Sequence, residues 1–203
     1  MSRPPIIGVL ALQGDVREHL RALTACGADV RSVRRPADLI GLQGIVLPGG
    51  ESTTIDKLSR VFELREPLIA ALQTGLPAYG SCAGMILLAK NVLDGTKDQQ
   101  TFGTLDITVR RNAFGRQVES FETDVDLDGI DGGPVHAVFI RAPWVESIDN
   151  GVDILGAVVP PGLHESKIIA VRHQNVIATS FHPEVTDDLR IHRYFIDVVR
   201  AAR

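Results

Sequence analysis

In the first ninety residues, short apolar runs alternate with segments of helical character, and that alternation admits very few folds. The runs are "PIIGVLAL", "ADVRSV", "GIVLPGG" and "LPAYG", each of strand length and bounded by Gly, Pro or Asp. Between the first two, "GDVREHLRALTACG" sets Val16, Leu20 and Leu23 at helical spacing and closes on Gly27. A second helical stretch runs from Ser52-Thr53-Thr54 through Leu58. A third lies around Pro67, whose missing N–H suits a first helical turn, and reaches Leu72 and Gly75. "AGMILLAKNVL" then has the length and composition of a helix. Strands alternating with helices imply a parallel sheet covered on both faces.

The second half changes character. "TFGTLDITVRR", "QVESFETDVDL", "HAVFIRAP", "DILGAVV" and "KIIAVRHQNVIATSF" are strand-like runs broken by Gly, Pro, Asn and Asp, which predicts antiparallel additions to the sheet. The chain closes on "DDLRIHRYFIDVVRAAR", where Ile191, Tyr194, Phe195, Val198 and Val199 fall on one helical face with Asp187-Asp188 at its positive end. The expected class is therefore α/β, a three-layer fold with a central mostly parallel sheet flanked by helices and antiparallel strands in the second half. No repeat or low-complexity linker divides the chain, so one domain over 1–203 is expected. The segments near Asp94 to Thr101 and Asn150-Gly151 read as surface turns.

Charge and composition exclude several roles. The formal net charge is −4, with basic residues scattered as singles and pairs, so nucleic acid is not an expected partner. The apolar run Ile6 to Leu12 is short and lacks a small-residue cleavage site, and no segment is long enough to span a bilayer, so no membrane association is expected. Two cysteines, Cys26 and Cys82, cannot form a disulfide framework and fit a reducing cytoplasm.

Their interest is then chemical. Gly80-Ser81-Cys82-Ala83-Gly84 has the nucleophile-elbow pattern at a predicted strand-to-helix junction. Glycines let backbone approach closely at such a turn, and the thiol stands at a helix N-terminus, whose partial positive charge favours thiolate. A small core residue beside a helix-packing glycine would leave the same trace. A cysteine nucleophile needs a base and the base needs an orienting group. "TSFHPEV" offers both: Pro183 excludes a helix interior, so in an extended segment His182 and Glu184 point to one side. On its own, His-Pro-Glu could equally end a strand. His19, His136, His164, His173 and His192 have no comparable carboxylate at fixed spacing, apart from His164-Glu165 in an apparent exposed loop, and are expected to be structural or solvated. "LPGGEST" places Gly49-Gly50 just after a strand end, where open α/β sheets bind ligands, and the N–H groups of Gly50 and Ala83 are the expected oxyanion donors.

Together these motifs resemble the class I (triad) glutamine amidotransferases. Within that family, "GVLALQGDVREH", "LPGGESTT", "GSCAGMILLA", "RRNAFGRQVESFE", "VFIRAP" and "SFHPE" are similar to the glutaminase subunits of pyridoxal 5′-phosphate synthase, in order from Gly8 to Glu184. The resemblance implies hydrolysis of L-glutamine to glutamate and ammonia, with the ammonia passing to a separate synthase subunit. It implies Cys82 as nucleophile, His182 as base and acid, and Glu184 as the orienting carboxylate. It implies glutamine binding by Gly49, Gly50, Glu51, Arg111, Ile140 and Arg141, and places Gln13 near the oxyanion site and the partner surface. No metal and no organic cofactor are expected. The segment Pro160 to Ser166 is longer than expected for this family, and Trp144 stands where a smaller or polar side chain is expected. The competing functions are a glutaminase serving another synthase, such as the imidazole-glycerol-phosphate synthase family, a cysteine hydrolase or peptidase without a glutamine pocket, and a binding protein that kept the fold without activity.

Overall fold

A computed structural model describes residues 3–111, 113, 120–149 and 151–202. The first half follows the expected alternation: β1 (Ile6–Leu10), α1 (Val16–Ala25), β2 (Asp29–Val33), β3 (Gly44–Leu47), α2 (Ser52–Val61), α3 (Arg65–Gln73), β4 (Ala78–Ser81) and α4 (Ala83–Leu88). Pro67 sits in the first turn of α3. The second half adds β5 (Ala89–Leu93), β6 (Leu105–Arg110), β7 (Ser120–Val125), β8 (Val135–Ile140), β9 (Trp144–Ile148), β10 (Asp153–Val158), β11 (Lys167–His173), β12 (Val176–Thr179) and the closing helix α5 (Arg190–Ala201).

The main sheet runs β2-β1-β3-β4-β12-β11-β9-β6-β5, with β10 attached to β11. From β2 to β12 neighbouring strands are parallel; β11 and β9 then pair antiparallel. The central strands alternate their side chains between two cores, as a pleat of period two requires. Ile45, Leu47, Ala78 and Ala178 face α2, α3 and α4, where Ile55, Leu68 and Met85 cover them. Ile7, Val9, Val46, Tyr79 and Ile177 face α1 and α5, against Leu23, Ile191, Phe195 and Val199.

Two expectations change. "AGMILLAKNVL" is not one helix: α4 stops at Leu88 and Ala89–Leu93 is a strand pairing parallel with β6. A run buried through Ala89 and mixed beyond it, with Lys90 and Asn91 exposed, suits either structure, and pairing with β6 decides it. The runs around β7 and β8 form a separate two-stranded sheet rather than joining the main one, with Phe121 stacked on Phe139 at 4.4 Å. Gln117 to Glu119, and the "NAFGRQ" motif apart from Ala113, lie outside the described residues. Among the described residues no helix is long and apolar enough to cross a membrane.

Trp144 is buried at the start of β9; its indole N–H donates to Glu146 Oε2 at 2.8 Å, and the Lys167 ammonium lies 4.9 Å above its ring. This bulky side chain thus locks local surface outside the cavity described below. Pro161 to Ser166 form an exposed turn between β10 and β11, as expected for His164-Glu165.

The topology locates the site. From β1 the chain goes to β2 on one side and to β3 on the other, so loops leaving β1 and β3 separate and open a crevice at the carboxyl edge of the sheet. The segments after β1, β3, β4 and β12 converge there.

Candidate active site

Cys82 stands between β4 and α4 with φ 48° and ψ −101°, a strained conformation for a side-chain-bearing residue. The flanking glycines permit it. A Cβ on Gly80 would lie 2.6 Å from the backbone carbon of Gly84, and one on Gly84 would strike the Leu47 carbonyl. The elbow is thus clamped between β3 and its own helix, with little freedom to relax.

His182 follows β12, and its backbone N–H donates to the Val138 carbonyl at 3.0 Å. Pro183–Val185 form a single 3-10 turn, not the expected extended segment, and that turn brings Glu184 beneath the imidazole. His182 Nδ1 lies 2.8 Å from Glu184 Oε1, leaving the other ring nitrogen for Cys82, which lines the same cavity. Burial opposes charge on His182, yet Asp15, Cys82 and Glu184 outweigh it and push the imidazole up to about 12. Burial likewise opposes charge on Glu184, but His19 and His182 hold it well below the usual carboxylate range. The pair therefore stands as imidazolium and carboxylate.

Beside this trio is a cavity of about 380 Å³. Of the residues singled out in the sequence, Gln13, Gly50, Glu51, Cys82, Arg111, Ile140, Arg141 and His182 line it. Gly49 is not part of that lining and packs against His182, whose ring a Cβ at Gly49 would overlap; Ala83 is the buried first residue of α4, and Glu184 lies behind His182. Gln13 Oε1 accepts the Glu51 N–H at 2.7 Å. Gly50 has φ 150°, and a side chain there would run into Gln13, so only glycine fits the loop. The Gly49 carbonyl accepts the Asp15 N–H at 3.1 Å, and because a trans peptide points its N–H opposite its C=O, this bond sets the direction of the Gly50 N–H.

The two arginines differ. Arg111 is occupied: it donates to Glu51 Oε1 at 2.9 Å and to Gln99 Oε1 at 2.5 Å. Burial pushes the Glu51 carboxyl up, but Thr53 and Arg111 outweigh it and keep it below the usual range. Arg141 has a left-handed φ of 43° and no hydrogen bond or ion pair among the described residues. Among the described residues it is the free cation of the cavity wall.

Several residues here escaped the sequence reading. Asp15 Oδ2 lies 3.4 Å from His182 Nδ1, and Ser52 and Ile86 complete the lining. Asp15, His182 and Glu184 offer ligand-type atoms within 4.8 Å of one another; here the shared Nδ1 hydrogen already occupies the centre of that cluster. Gln99, expected in a surface turn, reaches Ser52 Oγ at 2.9 Å as well as Arg111. His19 and His192, expected to be structural or solvated, are fully buried, and His19 Nε2 lies 3.4 Å from Glu184 Oε1. Spacing along the chain could not show this, because α1 and the turn after β12 meet only in the fold.

Comparison with known proteins gives the family. A relative from Nocardia farcinica is 65% identical over 198 residues, 98% of this chain and 87% of its own length, and one from Salinispora arenicola is 62% identical over 98% of both. Each is named pyridoxal 5′-phosphate synthase subunit PdxT. A crystal structure of a glutamine amidotransferase superposes with a TM-score of 0.86 at 44% identity, over 96% of this chain and 98% of the other. PurLQS from Thermotoga maritima, at 18% identity and a TM-score of 0.65 over 99% and 97% of the two chains, shares the fold. The SNO glutamine amidotransferase family model matches residues 9–201, nearly the whole chain, and to that family the chain belongs.

Proposed function

We propose that this chain is the glutaminase subunit of a pyridoxal 5′-phosphate synthase, hydrolysing L-glutamine to glutamate and ammonia and passing the ammonia to a separate synthase subunit. The relatives' names support the pathway. The observation that carries the chemistry is a strained cysteine beside an imidazolium that is itself seated on a buried carboxylate.

Cys82 is the nucleophile. As a thiolate it attacks the side-chain carbonyl carbon of glutamine, and the negative charge moves to the carbonyl oxygen, where the N–H groups of Ala83 and Gly50 receive it. His182, as imidazolium, protonates the departing amide nitrogen; ammonia leaves and a γ-glutamyl thioester remains on Cys82. The now neutral His182 takes a proton from water, hydroxide adds to the thioester, and collapse releases glutamate and restores thiolate and imidazolium. Glu184 accepts from His182 Nδ1 throughout. No step calls for a metal or organic cofactor. One glutamine amidotransferase domain carries the whole cycle, in a reducing cytoplasm that keeps the Cys82 thiol free, with no nucleic-acid or membrane partner.

Gly49, Gly50 and Glu51 form the glutamine loop, Ile140 supports its rim, and the two arginines divide the work. Arg141 holds the substrate α-carboxylate, whereas Arg111 fixes Glu51. Arg141→Lys then raises the Michaelis constant for glutamine by about tenfold, because a point charge replaces a fork, while Arg111→Lys disturbs it less. Steady-state kinetics on both variants checks the order, and unchanged constants in both would return them to the surface.

The covalent step has its own test. Acid quenching of the working complex during glutamine turnover, followed by peptide mass analysis, traps a γ-glutamyl adduct on the peptide carrying Cys82. Glutamate release with the adduct on Cys26 would overturn the assignment.

A further inference from the structure

Behind the triad, away from the cavity, lies a row of buried polar side chains that the hydrolysis scheme does not use. His192 Nε2 is 3.0 Å from His19 Nδ1. His19 Nε2 is 3.0 Å from Ser81 Oγ and 3.4 Å from Glu184 Oε1, and Ser81 Oγ is 3.5 Å from the same carboxylate oxygen. Tyr79 stands edge-on to both imidazoles and bonds Thr179 through its hydroxyl at 2.9 Å, closing the row off. The titratable groups around Glu184 are thus His182 on its own turn, His19 from α1, and Asp15, whose Oδ2 meets the same His182 Nδ1 at 3.4 Å, with Cys82 in the cavity that His182 also lines.

Donor counting gives the row a direction. His192 Nδ1 is buried and has no hydrogen-bond partner among the described residues. A proton there would leave an N–H without an acceptor, and buried orphan N–H groups are rarer than orphan acceptors. Burial holds His192 down at about 3, so the ring is neutral and carries one proton. That proton sits on Nε2 and is donated to His19 Nδ1. A neutral imidazole accepting at Nδ1 carries its own proton on Nε2, which faces Ser81 and Glu184. The Ser81 hydroxyl, accepting from His19, is left to donate to Glu184. Every donor in the row points toward one carboxylate oxygen.

We propose that His19 is a positioning residue of the triad and that His192 acts through it, the two imidazoles in the Nε2–H form pinning the Glu184 carboxylate beneath His182. The proposal rests on Cys82, His182 and Glu184 being the catalytic trio. It gives α1 a part in catalysis from inside the core, through a side chain that never meets substrate.

Two measurements test it. Side-chain nitrogen NMR of the wild-type protein reads the tautomers directly and does not depend on turnover, so failure here is distinguishable from failure of the glutaminase reading. Nε2–H on both His19 and His192 is expected; Nδ1–H on either overturns the proposal. The second compares His19→Leu with His19→Gln in complex with the synthase subunit. His19→Leu removes the donor, and kcat falls by about 10- to 100-fold, the scale on which losing the outer partner of a working histidine acts elsewhere. The Michaelis constant stays within about twofold. The acid limb of the kcat profile moves to higher pH, because Glu184 loses a donor that stabilised its charge. His19→Gln, whose amide nitrogen can occupy the place of Nε2, recovers most of kcat and of the limb. Equal losses in the two variants with an unmoved pH profile would overturn the proposal.

Discussion

Cys82→Ala abolishes glutamate release, lowering kcat in the presence of the synthase subunit by about 10⁴-fold or more, while the chain folds as before. The rate loss follows because no other group in the cavity can form the thioester, and removing a nucleophile from a unit that acts together costs nearly the whole of catalysis. The fold survives because one buried sulfur is lost, and the elbow conformation of φ 48° is no harder for Ala than for Cys. A stability change within about 2 kcal/mol is expected, read by denaturant unfolding. Cys26→Ala is the matched control: its sulfur lies 3.9 Å from the Leu189 carbonyl, outside the cavity, and its rate stays near normal. Substantial turnover by pure Cys82→Ala would sink the mechanism.

The second large effect is an ordering. His182→Ala lowers kcat by about 10³- to 10⁴-fold, because proton delivery to the leaving nitrogen disappears. Glu184→Gln costs less, about 10- to 100-fold. The reason lies in the carboxylate's two oxygens. Oε1 receives His182 and faces Ser81 and His19, whereas Oε2 is buried with no partner among the described residues. A Gln amide therefore has one compatible orientation, its oxygen toward the three donors and its nitrogen in the vacant place, so His182 keeps its tautomer and aim. What is lost is the negative charge that steadies the imidazolium. Rates in the reverse order would give Glu184 a direct chemical part.

The parallel half of the fold was legible because strands buried on both faces must be apolar runs, and their turns carry Gly and Pro. The trio was legible as a set of candidates for a related reason, since each motif is local: an elbow needs close glycines, and His182 and Glu184 are two apart. Their roles remain part of the proposal. Legibility failed where contact is set by the fold. Asp15 reaches His182 across the loop that follows β3, and Gln99 reaches Arg111 from a turn whose composition reads as surface. His19 did leave a trace. It shares a helical stripe with Val16, Leu20 and Leu23, a polar residue on an apolar face, but nothing in the sequence says what it meets there. Likewise Ala89 to Leu93 reads as helix until β6 is present to pair with it.

In the free chain the Gly49 carbonyl is held by the Asp15 N–H, next to Gln13 at the start of α1, so rotating that peptide to present the Gly50 N–H needs this bond broken. A synthase subunit docking beside Gln13 and α1 is placed to do so, and one oxyanion donor is worth roughly 3 to 4 kcal/mol, about two to three orders of magnitude in rate. The direct measurement is steady-state glutamate release from L-glutamine by the purified chain, titrated with the synthase subunit. Turnover close to zero alone, rising about 100-fold or more to a plateau at saturating partner, is the predicted result. No glutamate release at any partner concentration would contradict the glutaminase assignment, and equal turnover at zero and saturating partner would contradict the gating.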